Sequence, residues 1–251
     1  MGLNGPEFYD DDVVFDTYMS RRETRVDSPN DTLEKPVFDQ LVGDLTHLRI
    51  LDLGCGNAAF GLEALGQGCR SYLGIDASYR MVEAAKKKLA DTQGKVLRAS
   101  IESWDYPSRH FDLVTSRLAL HYIQNIEPVF VRLNQALIEG GRFIFSIEHP
   151  VITSCDRARQ SDGPRQDWIV DDYFETGPRL THWMGDEVIK YHRTIEDYFV
   201  ALRAAGFVVD ALRESKPQRM MFRDEATYER RKRIPLMLFF SAHRPPSKLG
   251  L

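Results

Sequence analysis

The sequence predicts a doubly wound α/β fold, a mostly parallel sheet with helices on both faces. Three observations predict it. Short apolar runs alternate with amphipathic ones from about residue 48 to 147; a glycine-rich turn, "ILDLGCGNAAFG" (50–61), joins the first apolar run to a helical one; and no apolar stretch approaches the roughly 18 residues that span a bilayer.

Before the alternation, "VVFDTYMSRRE" (13–23) has helical spacing, and "NDTLEKPVFDQLVGDL" (30–45) reads as a helix leading into the first strand. Strands are expected at "RILDL" (49–53), "SYLGID" (71–76), "KVLRAS" (95–100), "FDLVTS" (111–116) and "GRFIFSIE" (141–148). Helices are expected between them: at 58–66, at "SYRMVEAAKKKLA" (78–90) opening on Ser78 as N-cap, and at "PVFVRLNQALIEGG" (128–141) closing on Gly140 and Gly141. Residues 150–193, rich in Gly, Pro, Asp and aromatics, break the pattern and are too long for a turn, so they read as a cap. A helix, "TIEDYFVALRAAG" (194–206), and two strands, "FVVDALRES" (207–215) and "RIPLMLFFSAHR" (233–244), then complete the sheet, the last strand antiparallel. Ligands of such sheets bind at the carboxyl ends of the strands.

With 251 residues the chain reads as one domain: an N-terminal helical lid (1–47), a cofactor-binding core (48–149), the cap (150–193) and the completion of the sheet (194–251). Its 43% hydrophobic and 28% charged residues are ordinary for a globular chain. The opening "MGLNGPEFYDDDVVF" lacks the basic and apolar regions of a signal peptide, so a cytoplasmic protein without membrane attachment is expected. Cys55, Cys69 and Cys155 form no CxxC pair, and no spacing among the seven histidines resembles a metal site, so neither disulfide nor metal is expected. A net charge of −4 argues against nucleic acid as a partner. The stretch 213–233 is locally basic, but acids interleave it, and it reads as a solvated, salt-bridged face ahead of an anion-binding one. Monomer and homodimer both remain open.

Gly54, Gly56 and Ala59 are spaced to let the backbone approach a ligand before a helix N-terminus, a pattern that nicotinamide-binding folds share. Asp52, two residues ahead of the first glycine on an otherwise apolar strand, sharpens the reading. "LDLGCG" resembles motif I of the class I S-adenosylmethionine-dependent methyltransferases, whose sheet is Rossmann-like and seven-stranded. "LGIDAS", "FDLVTSRLALHYI" and "LNQALIEGGRFIFS" extend the resemblance at the family's intervals over about 100 residues. It implies S-adenosylmethionine as cofactor, with Gly54 and Gly56 beside the methionine moiety and ribose, Asp76 on both ribose hydroxyls and Asp52 orienting the loop or the ammonium group. Ser100 stands where the family usually has an acid, with Ile101 against the adenine; Ser116 ends the fourth strand beside the cofactor. "YMSRRE" resembles the lead-in of small bacterial methyltransferases of this type, which implies that Tyr18 and Arg22 close over the methionine end.

Methyl transfer from a sulfonium needs a dry, aligned pocket more than covalent chemistry. Aromatics outside the core motifs are therefore candidates for the acceptor wall: Phe8, Tyr9, Trp168, Tyr173 and Trp183. Tyr9 is also a candidate for moving a proton. His121 and His149 follow the fourth and fifth strands, and His182 lies in the cap; His121 and His182 are candidate general bases, His149 a substrate contact. "EHPV", "DDYF", "KYHRT" and "RRKRIPLMLFF" resemble small-molecule methyltransferases of bacterial secondary metabolism. That resemblance implies an amine or indole-type acceptor, methylated on nitrogen or an activated ring carbon. Alternatives are O-methylation of a small phenol or acid, a nicotinamide-dependent oxidoreductase using the same glycine turn, and a cofactor-binding module without catalysis.

Overall fold

The structure, a computed structural model, describes residues 2–24, 28–156 and 167–247. Part of the expected cap, 157–166, lies outside the described residues.

Seven strands form the main sheet: β1 (Arg49–Leu53), β2 (Ser71–Asp76), β3 (Lys95–Arg98), β4 (Phe111–Arg117), β5 (Leu137–Glu148), β8 (Val208–Glu214) and β9 (Met237–His243). Their order is β3-β2-β1-β4-β5-β9-β8. Pairing is parallel across the first five, while β9 runs antiparallel to both β5 and β8, so β9 alone is reversed. The chain leaves β1 toward β2 on one side and returns to β4 on the other. That reversal opens a crevice at the carboxyl ends of β1 and β4.

Period-two alternation covers both faces of the sheet. Leu51, Leu53, Phe143 and Phe145 join a core with α6 (Ile126–Ala136) and α8 (Ile195–Ala204); Ile50 and Ile144 join a second core on the other face with α3 (Lys35–Val42) and α4 (Ala59–Gly66). α5 (Tyr79–Lys88) starts at Ser78, whose Oγ accepts the Met81 N–H at 3.1 Å, as its sequence predicts. α8 opens on a capping box between Thr194 and Asp197.

The expected helix over 128–141 is corrected. α6 stops at Ala136, and Leu137 enters β5 opposite Phe111. Gly140, at φ +76°, donates its N–H to the Arg244 carbonyl at 2.8 Å, so the glycine pair bends an extended strand instead of capping a helix.

Ahead of α3 the chain forms α1 (Gly5–Asp10) and α2 (Asp12–Thr24), the first unforeseen in the sequence. Within the described part of the cap lie a short α7 (Pro150–Thr153) and the hairpin β6 (Gly177–Trp183)–β7 (Asp186–His192). The N-terminal helices and the hairpin interlock. Phe8 and Val14 pack with Met184 and Val188, while Leu3 donates to the Glu187 carbonyl and accepts from the Ile189 N–H. α9 (Glu225–Lys232), also unforeseen, carries much of the basic stretch.

Candidate functional site

The turn after β1 is fixed first by backbone. Gly54 and Cys55 both donate to the Ile75 carbonyl at the end of β2, at 2.9 and 3.1 Å. Gly54 sits at φ +64°, and a Cβ there would come within 2.4 Å of the Ala119 Cβ, so close approach of the β1 and β4 loops demands glycine. Gly56, at φ +54°, is different: a Cβ there would meet nothing within 4 Å. Its N–H donates to Asp76 Oδ2 and the Ser78 N–H to Oδ1, each at 2.9 Å. Burial raises the Asp76 pKa, and these amides pull it back toward the ionised form.

Gly54, Gly56, Asp76, Ser100 and Ile101 line one part of a cavity of about 970 Å³. Open space beside Gly56 and an oriented carboxylate at Asp76 fit a ligand with vicinal hydroxyls, so the residues present suit the cofactor that the resemblance implies. The size is at the upper end of the roughly 300–1,000 Å³ of small-ligand sites, enough for cofactor and acceptor together.

Away from these residues the wall becomes aromatic and charged. Tyr9, Tyr18, Tyr122 and Trp183 line it; the Tyr9 and Tyr122 hydroxyls are 3.2 Å apart, and the Tyr9 and Tyr18 rings meet edge to face at 5.4 Å. Burial pushes the Tyr9 and Tyr122 phenols far above their ordinary range. Beside them Lys190 Nζ lies 2.7 Å from Glu148 Oε1 and within 5.6 Å of the Tyr122 and Trp183 ring centres. The Glu148 N–H donates to His121 Nδ1 at 3.4 Å, which leaves the neutral ring its proton on Nε2. Burial holds the His121 pKa down at about 3. Arg117 completes this wall, its Nε 3.1 Å from both carboxylate oxygens of the buried Glu34, which also accepts from Ser146 Oγ at 2.8 Å.

Several of the expected site residues lie away from the cavity wall. Asp52 is absent from the cavity wall: Tyr72 and Thr115 donate to its carboxylate at 2.7 and 2.8 Å, and burial lifts its pKa to about 6, so it ties β1 to its neighbours. Ser116 likewise donates to the Leu53 carbonyl at 3.1 Å inside the sheet. Phe8 is wholly buried between lid and hairpin, a packing residue. His149 caps α7 and bonds Glu214 at 3.0 Å; Tyr173 packs on His192; His182 sits on β6 outside the cavity wall. Neither Tyr9 nor His121 has the near-neutral pKa of a general base. Tyr9, Tyr18, Arg22, Trp168 and Trp183 do line the cavity, Arg22 with Asp31 at 3.5 Å.

The sequence reading missed Tyr122, Glu148 and Lys190. Signals existed for two of them: Glu148 ends the fifth strand as Asp76 ends the second, and Lys190 occupies an inward position of β7 between Val188 and His192. Among the described residues no group of three or more His, Cys, Asp or Glu could hold a metal ion, and no helix is long and apolar enough to cross a membrane.

The family model described as a methyltransferase domain matches residues 51–145. The chain resembles a crystal structure of an S-adenosylmethionine-dependent methyltransferase from Mesorhizobium loti at 34% identity and a TM-score of 0.77, over 84% of this chain and 97% of that one. An uncharacterised protein of Haemophilus influenzae is 32% identical over 217 residues, 82% of this chain and 85% of that one. A malonyl-[acyl-carrier protein] O-methyltransferase of Legionella pneumophila is 32% identical over 125 residues, covering 47% of this chain and 44% of that one.

Proposed function

Since the chain belongs to the class I S-adenosylmethionine-dependent methyltransferases, we propose that it methylates a small organic acceptor at a nitrogen or an activated ring carbon of amine or indole type. Family membership sets aside the oxidoreductase and the silent binding module. One observation carries the choice of acceptor atom: the Glu148 carboxylate, paired with Lys190, on an aromatic wall of the same cavity that holds Asp76.

Bound S-adenosylmethionine supplies a methyl group on a positive sulfur, ready for in-line displacement. Asp76 accepts the two ribose hydroxyls, Ser100 and the Ile101 backbone meet the adenine, and Tyr18 and Arg22 cover the methionine end. Tyr9, Tyr122 and Trp183 exclude water and present ring faces to the positive charge that an amine or ring acceptor gains on methylation. Glu148 would accept the N–H or C–H proton that the nitrogen or ring carbon must lose on methylation, and neutral His121 holds the Glu148 backbone in place. Lys190 pairs with the Glu148 carboxylate and holds it at the wall. Net charge of −4 supports a small molecule over nucleic acid. We read the chain as one cytoplasmic domain, working as monomer or homodimer.

O-methylation of a small acid is the second reading, favoured by the printed activity of the Legionella relative. A carboxylate acceptor has no proton to lose. Transfer of labelled methyl from the cofactor to a panel of amines, indoles, phenols and carboxylic acids therefore separates the two: Glu148→Gln lowers kcat by about a hundredfold or more if the acceptor loses a proton, and leaves it intact for a carboxylate. Titration with S-adenosylhomocysteine checks the cofactor half of the site. Asp76→Ala weakens binding about tenfold or more, the loss expected for hydrogen bonds to a charged acceptor, and undiminished affinity would overturn that assignment.

A further inference from the structure

Arg117, Leu118 and Ala119, where the chain leaves β4, line the cavity together with Gly54, Tyr18 and Arg22. The charges that act on the Tyr18 phenol are those of Arg22, Arg117, Asp76 and Glu34. Arg117 therefore stands at the part of the cavity given to the methionine end of the cofactor.

Two features of this turn call for more than packing. Leu118 lies at φ +54°, a left-handed conformation that is costly for a bulky residue and persists only where the surroundings enforce it. Arg117, beside it, is paired with a carboxylate that has been taken out of water. Both features lead to Glu34.

Glu34 ends a turn of π-helix (Asn30–Glu34), a rare conformation that gathers at functional sites. Its carboxylate accepts from Arg117 Nε at 3.1 Å with each oxygen, from Arg117 Nη2, and from Ser146 Oγ at 2.8 Å. Ser146 in turn accepts the Leu118 N–H, at its carbonyl at 2.9 Å and at Oγ at 3.2 Å. The Arg117 guanidinium also lies over the Phe38 ring, 4.7 Å from its centre. One carboxylate thus fixes a cation of the cavity wall and, through Ser146, the backbone from which that cation projects. Such a pair is a poor device for stability, because the desolvation of two charges offsets their attraction and apolar side chains of similar volume hold a fold as well. What it supplies is orientation.

We propose that Glu34 is a positioning residue for cofactor binding: it engages the Nε and Nη2 edge of Arg117 so that the Nη1 donors meet the carboxylate of the cofactor's methionine end. Tyr18 and Arg22 cover that end from α2, and Arg117 meets it from the sheet. The inference rests on the reading of the cavity as the S-adenosylmethionine site.

Calorimetric titration with two ligands tests it: S-adenosylhomocysteine, and methylthioadenosine, which keeps the adenosine and the sulfur but lacks the amino-acid end. Glu34→Gln and Arg117→Gln are each expected to weaken S-adenosylhomocysteine about tenfold or more and to leave methylthioadenosine unchanged. Because Glu34 acts through Arg117, Glu34→Gln/Arg117→Gln should bind S-adenosylhomocysteine no more weakly than Arg117→Gln alone. The double variant also removes both buried charges together, so it carries the test where a single variant leaves one charge unpaired and fails to fold; it should show the same selective loss. Undiminished affinity of Glu34→Gln for S-adenosylhomocysteine, additive losses in the double variant, or equal losses for both ligands in the double variant would each overturn the role of Glu34. Failure of the unaltered protein to bind the two ligands would instead bring down the reading of the cavity beneath it.

Discussion

His121 shows how a single residue changes meaning between sequence and structure. Its place after the fourth strand suggests a base, yet burial fixes the ring neutral, with a pKa of about 3 and Nδ1 accepting from Glu148. A histidine whose folded pKa lies below its unfolded value stabilises the fold above pH 6.5, and that contribution is lost as pH falls from 6.5 toward 3 because only the unfolded chain takes up the proton. Denaturant titrations should therefore show the stability of the unaltered protein falling relative to His121→Gln by about 2 kcal/mol between pH 7 and 5. A pH-independent difference would mean that the ring is not held neutral. Asp52 acts in the opposite sense: with its carboxyl raised to about 6, ionisation in the fold is costly, and stability falls as pH rises from 3.8 to 6. Its identity as an unusual acid on an apolar strand was legible in the sequence. Its partners, Tyr72 and Thr115, were not, because both lie on neighbouring strands far along the chain.

At the scale of the element, the turn after β1 shows why spacing alone recovers so much. Gly54 and Gly56 need positive φ, a local property written in residue type, and the structure finds both there. The further demand at Gly54 is tertiary, since Ala119 of the β4 loop occupies the space a side chain would need. Gly54→Ala should lower stability by roughly 2–4 kcal/mol from backbone strain and overpacking together. Adding Ala119→Gly should relieve the packing part alone, and thermal unfolding of the two variants separates the terms. No recovery in the double variant would show that backbone strain dominates. The boundary of α6 was misread for the converse reason: glycines after an amphipathic run look like a helix end, and only pairing of Leu137 with Phe111 pulls the preceding residues into β5.

Across the whole molecule, α1 and α2 pack with the β6–β7 hairpin as one unit. They are joined by Phe8, Val14, Met184 and Val188, a cluster separate from the two cores of the sheet. A small satellite cluster opens below the free energy of global unfolding. Phe8→Ala should speed amide exchange at Leu3 and Ile189 by at least about tenfold while β1 amides keep their protection; uniform acceleration would show that this unit and the sheet unfold together. The sequence by itself determined the alternation of strands and helices, the glycine turn, Asp76 and the family, because these depend on local periodicity and on residues close in the chain. Only the tertiary structure decided which side chains face the cavity. Lys190 meets Glu148, Tyr9 meets Tyr122, and Arg21 and Arg230 reach one space from opposite ends of the chain. Such meetings are set by how buried surfaces pack, and packing is a property of the whole chain that no short stretch records.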